Sequence, residues 1–265
     1  MTSLVRRFQQ RNRGFTLLEM ITVIVILSLT TIASTRIIIS IVEGQALVKK
    51  HSQVLIESQL TMDRLAKQLQ TALPFSLRES NANRCLSFMP VVASSFYLSE
   101  LPDSINLFPT TGASVPVPVA PYAVSGGNAA FFSVGAQSSA ELYGSGATSL
   151  ESITSLSASA ITLNQDHRWQ QNSPEQRFFI IDRPQAFCVV NNELRYYRNV
   201  SQTNADINLN GLYDVLMNTV NTSGRIFTIA DGLTGCQHCI DIQLQFTVDN
   251  IQQVKNRTVS LFYAR

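Results

Sequence analysis

Residues 15–35 form a long apolar stretch, FTLLEMITVIVILSLTTIAST, that contains a single charged residue, Glu19. At a rise of about 1.5 Å per residue, roughly 20 helical residues span the ~30 Å hydrocarbon core of a bilayer. Basic residues flanking such a stretch stay on the cytoplasmic side, and four arginines precede this one, at Arg6, Arg7, Arg11 and Arg13. The sequence therefore predicts a single-pass membrane helix with a cytoplasmic N-terminus and an extracytoplasmic remainder.

The basic excess of the chain is confined to its start. The formal net charge is +2, and the four arginines before Gly14 account for more than this excess. A chain that begins at Phe15 is mildly acidic, so it offers no basic patch for nucleic acid. Charged residues make up only 14% of the chain, against about a quarter in typical soluble domains. This balance indicates a surface that is partly covered by lipid or by protein partners.

Two ordinary explanations of the apolar stretch are a cleaved secretory signal, with Ala33-Ser34-Thr35 as its small-residue site, and a simple membrane anchor. Neither accounts for Glu19, because a carboxylate deep in a bilayer costs about 2.5–3.5 kcal/mol on insertion scales. Residues 15–35 contain no Lys, Arg or His. The partner of Glu19 must therefore come from another chain, or from a new amino terminus created by cleavage after Gly14.

The segment Arg13-Gly14-Phe15-Thr16-Leu17-Leu18-Glu19-Met20 resembles the class III signal of type IV prepilins and pseudopilins. The resemblance implies that a prepilin peptidase cleaves after Gly14 and methylates the new N-terminal Phe15. It also implies that Glu19 neutralises the terminal amine of a neighbouring subunit during assembly. The implied product is a structural protein of the bacterial inner membrane, not an enzyme. An assembly platform would incorporate it, with major and minor pilins, into a pilus on the cell surface.

Helical periodicity continues beyond the apolar stretch. A stripe of apolar residues recurs at spacings of three, four and seven, at Val48, Leu55, Met62, Leu65, Leu69 and Leu73, and Pro74 provides a stop. The sequence thus predicts three parts: a leader over residues 1–14, a transmembrane and assembly helix over 15–73, and an extracytoplasmic globular head over 74–265.

The C-terminal part of the head alternates between apolar and polar residues, as antiparallel strands do. Residues 91–165, rich in Ser, Ala, Gly, Pro and Val, are predicted as loops and edge or irregular strands that form a long insertion in one head. Because a long helix is laid on an antiparallel sheet, the expected fold class is α+β. The predicted strands are Arg177–Asp182, Ala186–Val190, Glu193–Arg198, Cys239–Val248 and Arg257–Tyr263, with Asn191-Asn192 as a tight hairpin.

Two segments of the head carry a narrower resemblance. RCLSFMPVV (84–92) and RFFIIDRPQAFCVVNNELRYY (177–197) resemble the O group of minor pilins for biogenesis of the MSHA (mannose-sensitive haemagglutinin) pilus. The resemblance implies a minor pilin that initiates or caps assembly and enters the fibre. Alternatives of the same class are a type II secretion pseudopilin of the J kind and a PilW-like minor pilin. A membrane-tethered adhesin or binding module that never enters a filament is the alternative from another class.

The four cysteines are expected to be paired, because cysteines beside strands in an oxidising compartment usually form disulfides. We predict the disulfides Cys85–Cys188 and Cys236–Cys239. The CQHC segment does not meet the requirements of three other kinds of site. Haem attachment would need His directly after the second Cys, and zinc would need a second ligand pair. A redox-active pair would need a thioredoxin-like setting. A short structural disulfide at the start of the long strand is the remaining interpretation.

Residues 206–214, DINLNGLYD, have the spacing of a calcium-binding loop. Oxygen ligands would come from Asp206, Asn208, Asn210, the Leu212 carbonyl and Asp214, around a sharp turn at a glycine. The residue at the position of the usual bidentate glutamate is a methionine, so calcium remains a hypothesis. The alternative is an Asn/Asp-rich turn that needs no metal, and no other cofactor is expected.

Catalysis has little support in the sequence. The candidate acid and base residues, Glu151, Asp166, His167 and Asp182, are scattered along the chain. They show no nucleophile–base spacing, and no glycine-rich phosphate loop accompanies them.

Overall fold

The computed structural model describes residues 16–103, 112–221, 224–230, 239–248 and 251–261. Contacts divide the chain into two units, Met1–Gln53 and Val54–Arg265. Helix α1 (Leu17–Leu69) is followed, among the described residues, by fourteen strands. These are β1 (Arg78–Ser80), β2 (Cys85–Phe88), β3 (Val91–Phe96), β4 (Val117–Pro118), β5 (Phe131–Ser133), β6 (Leu150–Leu156), β7 (Ala160–Leu163), β8 (Arg177–Ile181), β9 (Gln185–Val190), β10 (Glu193–Tyr197), β11 (Tyr213–Asn218), β12 (Phe227–Ala230), β13 (Cys239–Val248) and β14 (Ile251–Ser260).

Helix α1 ends at Leu69, ahead of Leu73, where the sequence predicted its end. The N–H of Leu73 donates to the carbonyl of Met89 (2.8 Å), and the N–H of Val91 donates to the carbonyl of Thr71 (2.8 Å). These bonds draw the residues after the helix into an extended pairing with the segment that follows β2. Tertiary pairing, and not the next proline, therefore stops the helix.

The last turns of α1 supply one wall of the main core of the second unit. Met62, Leu65 and Leu69 are at most 2% exposed and cluster with Phe187 of β9 and Phe246 of β13. Their spacing of three and four residues puts them on one face of the helix. Full burial of each such side chain contributes about 1.5–3 kcal/mol, so this face holds the helix end against the strands.

A five-stranded antiparallel sheet in the order β1-β2-β9-β10-β11 lies against this core. The predicted hairpin between β9 and β10 is confirmed, because Val190 pairs with Glu193 and only two residues join the strands. Asn191 and Asn192 have φ values of 53° and 63°, the left-handed conformation that a tight type I′ turn requires and that Asn tolerates.

A three-stranded sheet in the order β12-β13-β14 completes the core. The predicted buried face of β13 is confirmed from Ile240 to Phe246, since the alternate apolar residues over this stretch are at most 1% exposed. Strand β14 begins at Ile251, well before the predicted start at Arg257. Its early part is mostly polar and shows no apolar alternation; pairing along the whole of β13 makes it a strand.

The remaining strands form a six-stranded antiparallel sheet in the order β3-β8-β5-β6-β7-β4. Its two outer strands meet again, because Tyr97 at the end of β3 bridges Val119 at the end of β4 and the N–H of Leu98 donates to the carbonyl of Pro118 (2.8 Å). The sheet is therefore a closed barrel, and closure removes the unpaired edges that an open sheet exposes.

The barrel corrects the prediction of loops and edge or irregular strands over residues 91–165. Strands β3 to β7 fall in this range, and small groups of alternating apolar residues point to the inside of the barrel. Each strand contributes only about two such residues between Ser, Gly and Pro, so the alternation was too short to recognise. The alternating pairs, all at most 1% exposed, are Val117 and Val119, Phe132 and Val134, and Ile161 and Leu163.

The barrel is inserted between two neighbouring strands of the five-stranded sheet. Strands β2 and β9 pair directly, and β3 to β8 lie between them in sequence. This arrangement agrees with the predicted long insertion in one head. The α+β class is confirmed, with three antiparallel sheets where the sequence analysis described one.

Candidate functional site

The first part of helix α1 exposes apolar side chains on all sides. Leu17, Ile24 and Leu29 are 62–79% exposed, and the other large apolar residues from Leu18 to Val42 are 46–73% exposed. Among the described residues, α1 is the one helix long and apolar enough to cross a bilayer. Such a surface requires lipid or other protein around it.

Several polar side chains in this apolar part are satisfied within the helix itself. The hydroxyls of Thr22, Thr31 and Thr35 donate to backbone carbonyls three or four residues earlier, over 2.7–2.9 Å. Ser40 does the same at 2.8 Å. Because these groups carry their own partners, they cost little in hydrocarbon. The carboxylate of Glu19 cannot be satisfied in this way.

Glu19 lies in the first turn of α1 and is exposed. Its backbone N–H faces the carbonyl (3.1 Å) and the hydroxyl (3.3 Å) of Thr16. Thr16-Leu17-Leu18-Glu19 has the Thr-x-x-Glu pattern of a capping box, and a carboxylate in the first turn is favoured by the helix dipole. The sequence analysis did not recognise Thr16 as a cap, although this pattern was present.

Gly14 and Phe15 lie outside the described residues. Cleavage after Gly14 and methylation of Phe15 therefore remain predictions from the sequence. What the structure adds is that the described helix begins directly behind this position, with Thr16 as its cap and Glu19 in its first turn.

The second unit contains a disulfide between Cys85 and Cys188, the pairing predicted from the sequence. The two residues are direct cross-strand partners in β2 and β9, with Cα atoms 4.1 Å apart. Both are fully buried. Cys236 lies outside the described residues, so the predicted Cys236–Cys239 disulfide remains a prediction.

The first predicted calcium ligands, Asp206 and Asn208, are engaged in protein hydrogen bonds. Asp206 Oδ1 accepts the N–H of Asn81 (2.9 Å), and the side chain of Asn81 in turn bonds the backbone of Ile207. Asn208 Oδ1 accepts the N–H of Asn210 (3.0 Å), which is a turn of the Asx kind. This part of the loop is thus fastened to the turn between β1 and β2.

The other end of the loop leads into β11. Asp214 Oδ2 accepts from the guanidinium of Arg198 (2.7 Å), and both side chains are more than half exposed. Leu212, whose carbonyl was the predicted ligand, has a side chain that is 95% exposed. The loop lines an open cavity of about 750 Å³. Calcium would have to share Asp206 and Asp214 with their present partners.

Two of the residues considered as catalytic are brought together, which the sequence analysis did not expect. Glu151 of β6 and His167, in the segment between β7 and β8, lie 3.2 Å apart (Oε2 to Nδ1). Asp166 instead accepts the backbone N–H and hydroxyl of Ser114, and these bonds lower the pKa of its carboxyl. Asp182 accepts the N–H of the next residue elsewhere in the head.

These contacts do not assemble a reaction centre. Within the described part of the chain, the contacts of His167 are Glu151, the carbonyl of Thr148 and the ring of Trp169, and none of these is a hydroxyl or thiol nucleophile. Over the same residues, no group of three or more His, Cys, Asp or Glu side chains is placed to hold a metal ion.

Comparison with known proteins gives one positive result. No curated protein and no solved structure shows a significant match to the chain. Residues 9–35 match the family model of the prokaryotic N-terminal methylation motif. This match includes Gly14, Phe15 and Glu19 and covers a small part of the chain. It supports a type IV pilin-like subunit that is processed by prepilin peptidase, anchored in a membrane by its apolar helix and assembled with other pilins.

Proposed function

We propose that the chain is a minor pilin, a structural subunit that helps to initiate or cap an MSHA-type type IV pilus and enters its fibre. The observation that carries the proposal is the position of Glu19. Its carboxylate stands in the exposed first turn of an apolar helix, inside the matched methylation motif. An unpaired carboxylate in hydrocarbon costs about 2.5–3.5 kcal/mol, which an opposite charge from another subunit would offset.

The amine of a neighbouring subunit's terminal residue fits this need. Cleavage after Gly14 would create such an amine on each subunit at Phe15, four residues before Glu19. A pair of this kind fixes how far one helix is displaced along the next. The partners that follow from the proposal are prepilin peptidase, the inner-membrane assembly platform, membrane lipid, and other major and minor pilins.

The MSHA assignment draws support from the two head segments that resemble its minor pilins. Residues 84–92 and 177–197 are far apart in sequence, but the first segment contains β2 and the start of β3, which pair with β9 and β8 of the second segment. They hold the disulfide between Cys85 and Cys188. The resemblance thus falls on one contiguous structural element, the strands at which the barrel joins the five-stranded sheet.

The test separates the charge of Glu19 from its place in the capping box. Glu19→Gln keeps the side-chain length and an amide that can serve the cap, but it removes the charge. We expect normal membrane insertion and processing, and loss of incorporation into pili. Thr16→Ala is the matched control: it keeps the charge and removes the capping hydroxyl, at about 0.5–2 kcal/mol of helix stability, and we expect assembly to persist.

The opposite pattern would contradict the proposal. If processed Glu19→Gln protein enters pili normally while Thr16→Ala does not, Glu19 serves the helix end alone. A type II secretion pseudopilin predicts the same dependence on Glu19, but a defect in secretion in place of one in piliation. A membrane-tethered adhesin predicts that Glu19→Gln leaves membrane retention and binding unchanged.

A further inference from the structure

Most strand edges in the described part of the second unit are closed, covered or charged. The barrel is closed where the end of β3 meets the end of β4. Strand β1 of the five-stranded sheet lies against β12 of the three-stranded sheet, and the N–H of Ile229 in β12 donates to the carboxylate of Glu79 in β1 (3.0 Å). An unpaired edge is a template for pairing with another chain, so proteins usually protect their edges in such ways.

Strand β14, the outer strand of the three-stranded sheet, is protected by charge. Its residue Lys255 donates to Gln59 of helix α1 (2.8 Å), and its residue Arg257 forms an ion pair with Asp63 of the same helix. Both basic residues pair with buried residues of β13, so they lie on the core side of the sheet. Charged residues that point inward make an edge a poor template for a further strand.

Strand β11, the outer strand of the five-stranded sheet, lacks this protection over its first half. Within the described residues, the backbone of Tyr213, Asp214 and Val215 pairs with β10 alone, and all three residues are exposed. The regular edge stops at Leu216, which is the extra residue of a bulge. The carbonyl of Leu216 accepts the hydroxyl of Thr61 in helix α1 (3.4 Å). The open part of the edge is therefore short and ends at a defined residue.

We propose that this open edge of β11 binds an extended segment of another protein chain by strand addition. The backbone of the added segment would pair with the outer N–H and C=O groups of β11, and this pairing would supply affinity. Its alternate side chains would lie beside those of β11 and supply specificity. The side chains on the two faces of the edge therefore define the chemistry of the partner.

One face of the edge is aromatic and apolar. Tyr213 and Val215 are two residues apart and share this face. The ring of Tyr213 lies near that of Tyr197, with centroids 5.5 Å apart, and the guanidinium of Arg195 lies 4.2 Å from its centroid. The charge of Arg195 is met by Glu193 (2.8 Å). Because aromatic and β-branched residues pair favourably across strands, we expect apolar residues of the added segment on this face.

The other face of the edge carries the carboxylate of Asp214. Its Oδ2 accepts from the guanidinium of Arg198 (2.7 Å), and both side chains are more than half exposed. Arg198 directly follows β10, on the side of β11 away from the open edge, so an added strand meets the carboxylate first. A carboxylate has two acceptor oxygens, so Asp214 can also pair with a basic residue of the added segment. The segment that fits this edge therefore has a Lys or Arg between two apolar residues.

A second copy of this chain fits the open edge poorly. In an antiparallel pairing of two β11 edges centred on Asp214, the two carboxylates would lie directly opposite each other. Like charges in this position are destabilising. A partner with a basic residue at the same place replaces this repulsion by an attraction. The expected occupant is therefore a different chain.

The experiment measures binding of a fluorescent cyclic hairpin peptide to the full-length protein in detergent by fluorescence anisotropy. Cyclisation holds the outer strand of the peptide, Val-Lys-Val, in an extended conformation and so reduces the entropy cost of binding. We expect this peptide to bind the wild-type protein. The same peptide with Glu in place of Lys should bind about two- to tenfold more weakly. Methylation of the outward backbone amides of the peptide should abolish binding, because these amides can then no longer donate to β11.

Two exposed valines on outer strands provide a matched pair of variants. Val215 is 45% exposed on the open edge of β11, and Val254 is 51% exposed on the polar strand β14. Val215→Lys should abolish binding of the Val-Lys-Val peptide, because a lysine on an edge opposes strand addition. Val254→Lys should leave binding unchanged. Asp214→Lys should reverse the preference, so that the Glu peptide binds more tightly than the Lys peptide.

Three results would overturn strand addition at β11. They are no binding of the Val-Lys-Val peptide to the folded wild type, equal effects of Val215→Lys and Val254→Lys, and undiminished binding of the methylated peptide. If Val215→Lys does not fold, an unchanged preference in Asp214→Lys refutes the proposal equally. Wild-type dimers in light scattering that Val215→Lys dissociates would make a second copy the occupant and refute a basic partner. These outcomes concern the second unit alone, so they are independent of the proposed role of Glu19 in assembly.

Discussion

Cys85 of β2 and Cys188 of β9 are direct partners in adjacent antiparallel strands, and a disulfide joins them. They are 103 residues apart in sequence, and the whole barrel lies between them. The disulfide therefore fastens the two strands from which the barrel emerges. In the unfolded chain, the same bond would close one large loop and lower its conformational entropy.

Removing this disulfide should destabilise the second unit. For the variant Cys85→Ser/Cys188→Ser, we expect the free energy of unfolding to fall by about 2–5 kcal/mol, as for other native disulfides that close long loops. Urea unfolding followed by Trp169 emission and by circular dichroism measures the change. An unchanged midpoint would mean that strand pairing between β2 and β9 is sufficient on its own.

How far the sequence predicts this structure depends on the length of each pattern. Helix α1 and β13 carry long, regular apolar patterns and were found with nearly correct bounds. Of the barrel strands, β8 was predicted, but β3 to β7 were not located, because pairs such as Phe132 and Val134 are too short to establish a period. Their order is set by long-range pairing, which no local pattern contains.

The candidate sites were recognised from the sequence only where their residues are close together along the chain. Glu19 and its motif were recognised because their residues are consecutive, and Thr16 could have been recognised as a cap from the same segment. Glu151 and His167 are neighbours only through the fold of the barrel. Their separation in sequence therefore gave no basis for predicting the contact.

The cysteine pair at the start of β13 is open to a direct test. We predict that Cys236 and Cys239 form a second disulfide in the oxidised protein. Proteolytic mapping without reduction should recover both as one linked peptide, and alkylation should label no thiol. Labelling of these two cysteines alone would show that the protein carries only the disulfide between Cys85 and Cys188.

The packing of the helix end can be tested with two leucines of the same helix. Leu65 is fully buried and Leu60 is 64% exposed. Leu65→Ala should lower the free energy of unfolding by about 2–5 kcal/mol, because it leaves a cavity in the core. Leu60→Ala should stay within about 0.5 kcal/mol of the wild type. Equal losses in urea unfolding in detergent would contradict the burial described for this face of α1.

Calcium binding at residues 206–214 remains a prediction, and the structure sharpens its test. Calcium at 100 times its dissociation constant should stabilise the folded protein by about 2.7 kcal/mol, seen as a higher melting temperature, and Asp206→Ala should remove the effect. Because the guanidinium of Arg198 forms an ion pair with the carboxylate of Asp214, Arg198→Ala should free this carboxylate and strengthen calcium binding. Magnesium, which prefers a stricter octahedral site, is the control. A melt that neither calcium nor chelator alters, in wild type and Arg198→Ala alike, would refute the site.

Processing is the prediction on which the assembly role depends. Because Gly14 and Phe15 lie within the matched methylation motif, the mature protein should begin at Phe15 and carry one added methyl group on its amine. Intact-mass measurement and N-terminal sequencing of membrane-extracted protein check both features together. Glu19→Gln leaves the glycine and the basic leader untouched, so it should be cleaved as the wild type is. A mature terminus near Thr35 or Arg36 would instead identify an ordinary secretory signal. Helix α1 would then lose most of its apolar part, including Glu19, and the carboxylate could have no role in joining subunits.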